Sequence, residues 1–294
     1  MPRWIFWMLV TLLSWGIWAI LLHEELNTEN VSAAHSQAMS TMGIVPILIA
    51  LGLMKDPVAP GNRRRGILLA FSSGVISGVG NIGYYAALDH EQAATIVPLA
   101  ALYPAVTILL AVPLLRERVT RIQWVGMGLS LVAIYLFLKP EHRVISAGVL
   151  LALIPIVLWG ITLLLQKLST DDISARSSAI WFLAAFVPLA FLIVLYDPVP
   201  AGLTTRTWAL QTAVGFTLAF GNLTILLACA SGGKASVIAP LSGLYPLVSI
   251  PIAILLLGEV VTTRQSLGIA LALVAVVMLS YQSDANVENA APPS

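Results

Sequence analysis

Charge is what this sequence has least of. Only 10% of its 294 residues are Asp, Glu, Lys or Arg, while 59% are hydrophobic. A soluble domain carries about 25% charged residues. So few polar groups cannot cover a water-exposed fold of this length, and the outer surface is expected to face lipid. Cysteine is nearly missing too. The single Cys229 excludes an internal disulfide and any multi-cysteine metal site, and its apolar surroundings make it a small packing residue. A formal net charge of +1 gives no footprint for nucleic acid.

The apolar runs also lack the groups that catalysis would need. Intramembrane proteolysis requires paired aspartates, a Ser-His pair or a metal cluster inside the spans. Here the aspartates are peripheral, His23, His35, His90 and His142 fall at edges or loops, and no His-Glu-x-x-His occurs. No enzyme, cofactor or metal is therefore expected. Nor does a carboxylate remain in mid-run for a proton relay, since Asp89 and Glu91 read as loop residues and Glu117 and Glu259 as span ends.

What the chain does have is long apolar runs. A helix needs about 20 apolar residues to cross the hydrocarbon. Runs near 3–22, 33–54, 67–88, 92–114, 122–138, 146–167, 175–196, 207–230, 234–257 and 264–281 predict an all-α polytopic membrane protein with ten transmembrane helices. The first run ends at His23-Glu24-Glu25 with no small-residue cleavage site, so it reads as a retained helix rather than a signal peptide. With the N-terminus inside, only Lys139, Arg143, Arg206 and Arg264 lie outside, and every other Lys and Arg lies inside. Both termini are thus expected in the cytoplasm, and residues 283–294 read as a disordered tail.

The sequence also repeats itself. Residues 98–104 read PLAALYP and residues 240–246 read PLSGLYP. At the same offset Glu117, Thr120, Gln123 and Gly126 match Glu259, Thr262, Gln265 and Gly268. With small gaps, Gly80-Asn81 matches Gly221-Asn222, Trp15-Gly16 matches Trp159-Gly160, and Ser32-Ala33 matches Ser174-Ala175. Each half then holds five spans, 1–143 and 144–282. Five is odd, so the second half enters the membrane from the opposite side, giving two inverted five-helix repeats. An old duplication with a purely structural role is the plainer alternative.

The paired Trp-Gly starts, the Pro-Leu-x-x-Leu-Tyr-Pro runs and the Glu-x-x-Thr-x-x-Gln-x-x-Gly ends resemble the drug/metabolite transporter superfamily, specifically its EamA-type repeat, over residues 3–281. Within it the chain is similar to the YddG-type exporters of aromatic amino acids. The resemblance implies a ten-helix fold with a central cavity, and export of small metabolites across the bacterial inner membrane. One departure matters. Many members carry an acidic or small polar residue before the proline of helices four and nine, where this chain has Tyr103 and Tyr245. That weakens the case for a polyamine or quaternary ammonium pump.

Depth along the spans selects candidate residues. At 1.5 Å per residue, Tyr103 and Tyr245 fall roughly 16 Å into their helices, close to the midplane. Trp15 with Trp159, and Asn81 with Asn222, make two further mid-depth pairs. Together with Trp18 and Tyr85 these form the candidate substrate-binding set. Trp18 could equally face lipid or core, and Asn81 could serve packing. Pro98, Pro104, Pro240 and Pro246 free backbone carbonyls and would let helices four and nine act as gating hinges, or merely kink for packing. Gly74 and Gly78 give a GxxxG spacing suited to close helix contact. Gln37, Ser40 and Thr41 could line an outer vestibule or form an ordinary polar helix end. Trp4 and Trp7 read as interface anchors.

An uncharged pocket of rings and amides suits a net-neutral ligand with an apolar body. The expected function is export of aromatic and other apolar amino acids by alternating access, without obligatory proton coupling. The partners are the small-molecule substrate and the lipid bilayer. The alternative is efflux of other small metabolites or organic cations, the latter through cation–π attraction, with or without proton coupling. A nucleotide sugar is disfavoured because no Lys or Arg lies mid-span to meet its phosphates. A channel is the remaining rival, and saturable counterflow separates the two.

Overall fold

Helix starts in this chain are written in short side chains. Ser32 accepts the His35 N–H at 3.2 Å and Ser174 accepts the Ser177 N–H at 3.0 Å, each satisfying a donor that the first helical turn leaves orphaned. Thr120 with Gln123, and Thr262 with Gln265, form reciprocal capping boxes. Each threonine hydroxyl accepts the glutamine N–H, and each glutamine side chain accepts the threonine N–H.

The computed structural model describes residues 3–26, 31–55, 61–115, 119–138, 146–231 and 241–279. The regular structure among them is helical, in the order α1 (Arg3–Leu26), α2 (Ala33–Leu53), α3 (Arg63–His90), α4 (Ala93–Ala100), α5 (Tyr103–Leu115), α6 (Arg121–Leu138), α7 (Ala147–Leu151), α8 (Leu153–Thr170), α9 (Ala175–Ala184), α10 (Phe186–Tyr196), α11 (Thr205–Ala230), α12 (Pro246–Leu256) and α13 (Thr263–Leu279). Among the described residues, seven helical runs are long and apolar enough to cross a membrane. Three shorter apolar helices, Arg121–Phe137, Pro246–Leu256 and Thr263–Leu279, stand where the sequence predicts further spans. Pro240, Glu117, the loop Gly232-Gly233-Lys234 and the tail lie outside the described residues, as does the Cys229 side chain.

Several spans are broken, and proline accounts for where. Pro104 has no N–H to give the Ala100 carbonyl, and the chain turns at Ala101 and Leu102 between α4 and α5. A matching turn over 243–245 precedes Pro246. Two further breaks lie within the spans expected over 146–167 and 175–196, which the structure places at Ala147–Thr170 and Ala175–Tyr196. The first lies at Ala152, three residues before Pro155, and the second at Ala185, three before Pro188.

Apolar side chains cover the outside, as lipid requires. Leu53, Leu131, Phe191 and Leu255 are each more than 60% exposed. The inside is closely packed. α1 runs antiparallel to α11, with Thr11 against Thr224 and Ser14 against Thr217. α3 runs antiparallel to α8, with Thr162 bonded to Ser73 and Trp159 against Gly80. α2 runs parallel to α11, with Ser36 bonded to Gln211 and Ser40 against Gly215. α3 likewise runs parallel to α9 and α10, with Gly74 against Phe182 and Gly78 against Leu189. Contacts in one half reappear in the other with partners exchanged. Gly16 meets Val248 and Gly160 meets Val106, while Gly80 meets Trp159 and Gly221 meets Trp15. No Cβ fits at these four glycines without moving a neighbour, which is why the sequence keeps them small.

Candidate functional site

Aromatic rings gather where α1, α3 and α8 meet. Trp18 of α1 stacks on Tyr84 of α3, with ring centroids 5.2 Å apart and planes 18° apart. Trp159 of α8 lies 5.2 Å from Tyr84 and 6.1 Å from Trp18. Tyr85 tilts against Trp18 at 6.5 Å, and Tyr103 meets Trp159 edge-on at 6.0 Å. Trp15 and Tyr245 form a separate edge-to-face pair at 6.4 Å. Trp18, Tyr84, Tyr85 and Tyr245 are almost wholly buried.

Polar atoms thread this cluster. The Trp159 Nε1–H donates to the Asn81 side-chain oxygen at 3.1 Å. The symmetry-related residues behave differently. The Trp15 Nε1–H donates to the Leu218 carbonyl at 3.1 Å, and the Asn222 amide donates to that same carbonyl from its own helix at 2.9 Å. Asn81 thus reaches a ring of the other half, whereas Asn222 spends its amide locally. The Tyr103 hydroxyl hydrogen-bonds Ser242, but the matching position facing Tyr245 is Ala100, and the Tyr245 hydroxyl has no hydrogen-bond partner in the described protein. Trp18 Nε1, Asn81 Nδ2 and the Tyr84 hydroxyl are likewise buried without a protein partner. Buried polar atoms of this kind are uncommon in native folds, and water, an ion or a bound molecule is what completes their bonding.

Of the candidate residues, the structure brings Trp18, Asn81, Tyr85, Tyr103 and Trp159 into one neighbourhood and sets Trp15, Asn222 and Tyr245 in a second. Pro98 and Pro104 flank the break between α4 and α5, and Pro246 opens α12. The sequence reading missed Tyr84, the ring at the centre. It also placed Glu259 merely at a span end. In the structure Glu259 is 8% exposed, and its two carboxylate oxygens accept the Ala93 N–H at 2.8 Å and the Ala94 N–H at 2.7 Å, capping α4 from the opposite half. Gln265 reinforces this by donating to the Thr95 hydroxyl at 3.0 Å. The signal available in sequence was a glutamate held in both copies of the repeat, without its distant backbone partners.

The remaining polar residues of α2 face the protein interior. Ser36, Gln37, Ser40 and Thr41 are buried, with the Gln211 amide donating to the Ser36 hydroxyl at 2.8 Å. His35 sits between the Ser32 hydroxyl at 2.9 Å and the Asp197 carbonyl at 2.9 Å, a loop-edge structural role. Among the described residues no group of His, Cys, Asp and Glu could hold a metal ion.

Two stretches of the chain, residues 2–139 and 146–281, each match the model of the EamA-like transporter family. The chain belongs to that family. Its members are membrane transporters of small molecules rather than enzymes. An uncharacterized protein of Methanocaldococcus jannaschii is 34% identical over 77 residues, a match that takes in 26% of this chain and 54% of the relative, about half its length. A solved crystal structure superposes with a TM-score of 0.61 at 17% identity, covering 94% of this chain and 96% of the other. That likeness shows the fold across almost the whole EamA-like chain.

Proposed function

We propose that this transporter exports aromatic and other apolar amino acids from the cytoplasm across a bacterial inner membrane, by alternating access between two inverted five-helix halves, 1–143 and 144–282. Its ten membrane helices would leave both termini cytoplasmic. The exchanged contacts support the inversion, since Gly16–Val248 answers Gly160–Val106 and Gly80–Trp159 answers Gly221–Trp15. The observation that carries the substrate reading is the uncharged cluster of Trp18, Tyr84, Trp159 and Tyr103 at the junction of the halves. Such rings stack on an apolar side chain, and no charged side chain belongs to the ring cluster to select for an ionic ligand. Movement down the substrate gradient without obligatory proton coupling follows from the same lack of a mid-span carboxylate. The prolines at the broken spans supply the hinges.

The test is counterflow of phenylalanine in proteoliposomes. Saturable exchange, lost on replacing Tyr103 or Tyr245 with Ala, is expected. Uptake driven by a pH gradient alone would contradict the uncoupled mechanism. Unchanged exchange in both variants would remove the tyrosines from the site. Cysteine labelling beside Glu117 and Glu259 should occur from opposite faces, and labelling from one face would end the inverted arrangement. Rings also attract organic cations, so efflux of such cations is the second reading, and the same exchange assay discriminates it.

A further inference from the structure

The orientation of the Asn81 amide is fixed by chemistry. An indole nitrogen is only ever a donor. The Asn81 atom that meets Trp159 Nε1 at 3.1 Å must therefore be the oxygen, which leaves the amide NH2 directed away from Trp159. That NH2 is buried and has no acceptor among the described residues. Tyr84 follows Asn81 by three residues on the same face of α3 and carries a buried hydroxyl without a partner. Trp18, stacked on Tyr84, adds a buried indole N–H without a partner. Three neutral donors thus stand on one connected patch, and with the Asn81 oxygen consumed by Trp159 the one acceptor left on it is the Tyr84 hydroxyl oxygen. Glu259 is a fixed charge that acts on Tyr84, and the Ala93 and Ala94 N–H groups that its oxygens accept offset it.

We infer that Asn81, Tyr84 and Trp18 form a donor-rich pole that binds the carboxylate of the transported amino acid, and that Trp159 is the positioning residue that keeps the Asn81 amide turned the right way. This rests on the amino acid export reading and adds what that reading leaves open, which end of the zwitterion is recognised and by what. A pole made of donors discriminates by charge. It meets a carboxylate with three donors and an ammonium with a single acceptor, the Tyr84 hydroxyl oxygen. The carrier should therefore distinguish an amino acid from the amine left when its carboxylate is removed.

The experiment is proteoliposome exchange of phenylalanine with three competitors: phenylalanine itself, 3-phenylpropionate, which keeps the carboxylate, and phenethylamine, which keeps only the amine. For the unaltered protein, phenylalanine and 3-phenylpropionate should compete at least about tenfold more strongly than phenethylamine. Asn81→Asp retains the acceptor for Trp159 but replaces the NH2 with negative charge, so preference should shift toward phenethylamine by about tenfold or more. Trp159→Phe keeps a ring and removes the orienting N–H, so the amide can flip. The phenylalanine-to-phenethylamine ratio should then fall toward one while phenethylamine transport persists. A structural role alone would lower all ligands together and leave the ratio unchanged. Should Asn81→Asp fail to fold, Trp159→Phe decides the matter. Unchanged ratios in folded variants overturn the donor pole and leave amino acid export standing. Exchange of none of the three ligands by the unaltered protein overturns the export reading itself.

Discussion

Removing the Glu259 carboxylate should unfasten the start of α4. In Glu259→Ala the Ala93 and Ala94 N–H groups lose acceptors at 2.8 and 2.7 Å, in a setting that is almost dry. Hydrogen bonds to a charged group contribute about 1.5–3 kcal/mol each, and the helix dipole adds about 0.3–1 kcal/mol. The two bonds share one carboxylate and do not add fully, so a loss of about 2–4 kcal/mol is expected. The protection of these two amides comes from Glu259 and not from a preceding helical turn. Hydrogen exchange followed by mass spectrometry on a peptide spanning Gln92 to Val97 reads it directly. At about 1.4 kcal/mol per tenfold, exchange should accelerate by between one and three orders of magnitude, while the α2–α11 seam stays as it was. Glu259→Gln keeps one neutral oxygen and should fall between Ala and the unaltered protein. Protection unchanged in Glu259→Ala would refute the cap, and equal effects of Ala and Gln would refute the contribution of charge.

Other substitutions probe the packing. Gly215→Ala would drive a methyl group into the Ser40 carbonyl, so the yield of folded protein after detergent extraction should collapse, a cost of about 3 kcal/mol or more. Tyr103→Phe breaks the bond to Ser242, whereas Tyr245→Phe removes a hydroxyl with no partner. Melting temperatures should therefore fall for the first and hold or rise for the second. Arg176 donates from Nε to the Leu51 carbonyl at 2.8 Å and from an Nη atom to the Gly52 carbonyl at 3.1 Å, closing the C-terminal end of α2. Arg176→Met should cost about 1–3 kcal/mol in thermal unfolding, with most of the loss retained in Arg176→Lys because one ammonium cannot reproduce the fork.

The helices were legible in the sequence because burial in lipid leaves a coarse mark, a run of about twenty apolar residues. Their breaks were legible only in part. Pro98 and Pro104 drew notice through the repeat, but Pro155 has Thr11 at its equivalent, Pro188 was not paired with its counterpart Pro46, and the breaks at Ala152 and Ala185 went unseen. The site followed the same pattern. Trp159, Asn81 and Tyr103 were found by pairing the halves. Tyr84 was not, because Ile225 stands at its equivalent, and Thr162 stands at that of Trp18. The ring cluster is a departure from the duplication, and a search for symmetry passes over departures. Glu259 was visible as a repeated residue, but its ligands are main-chain amides more than 160 residues away. No side-chain pattern encodes such a contact.

The seam between α2 and α11 has a mechanical consequence. With Ser40 seated on Gly215 and Gly43 seated against Thr212 and Phe216, the two backbones interlock without intervening side chains. Sliding one past the other by a single residue would press the next side chain into main chain. This pair can only travel as a rigid beam. Any shape change the protein undergoes must then be taken up at the interrupted helices, so that stiffness in one pair dictates where the rest of the molecule bends.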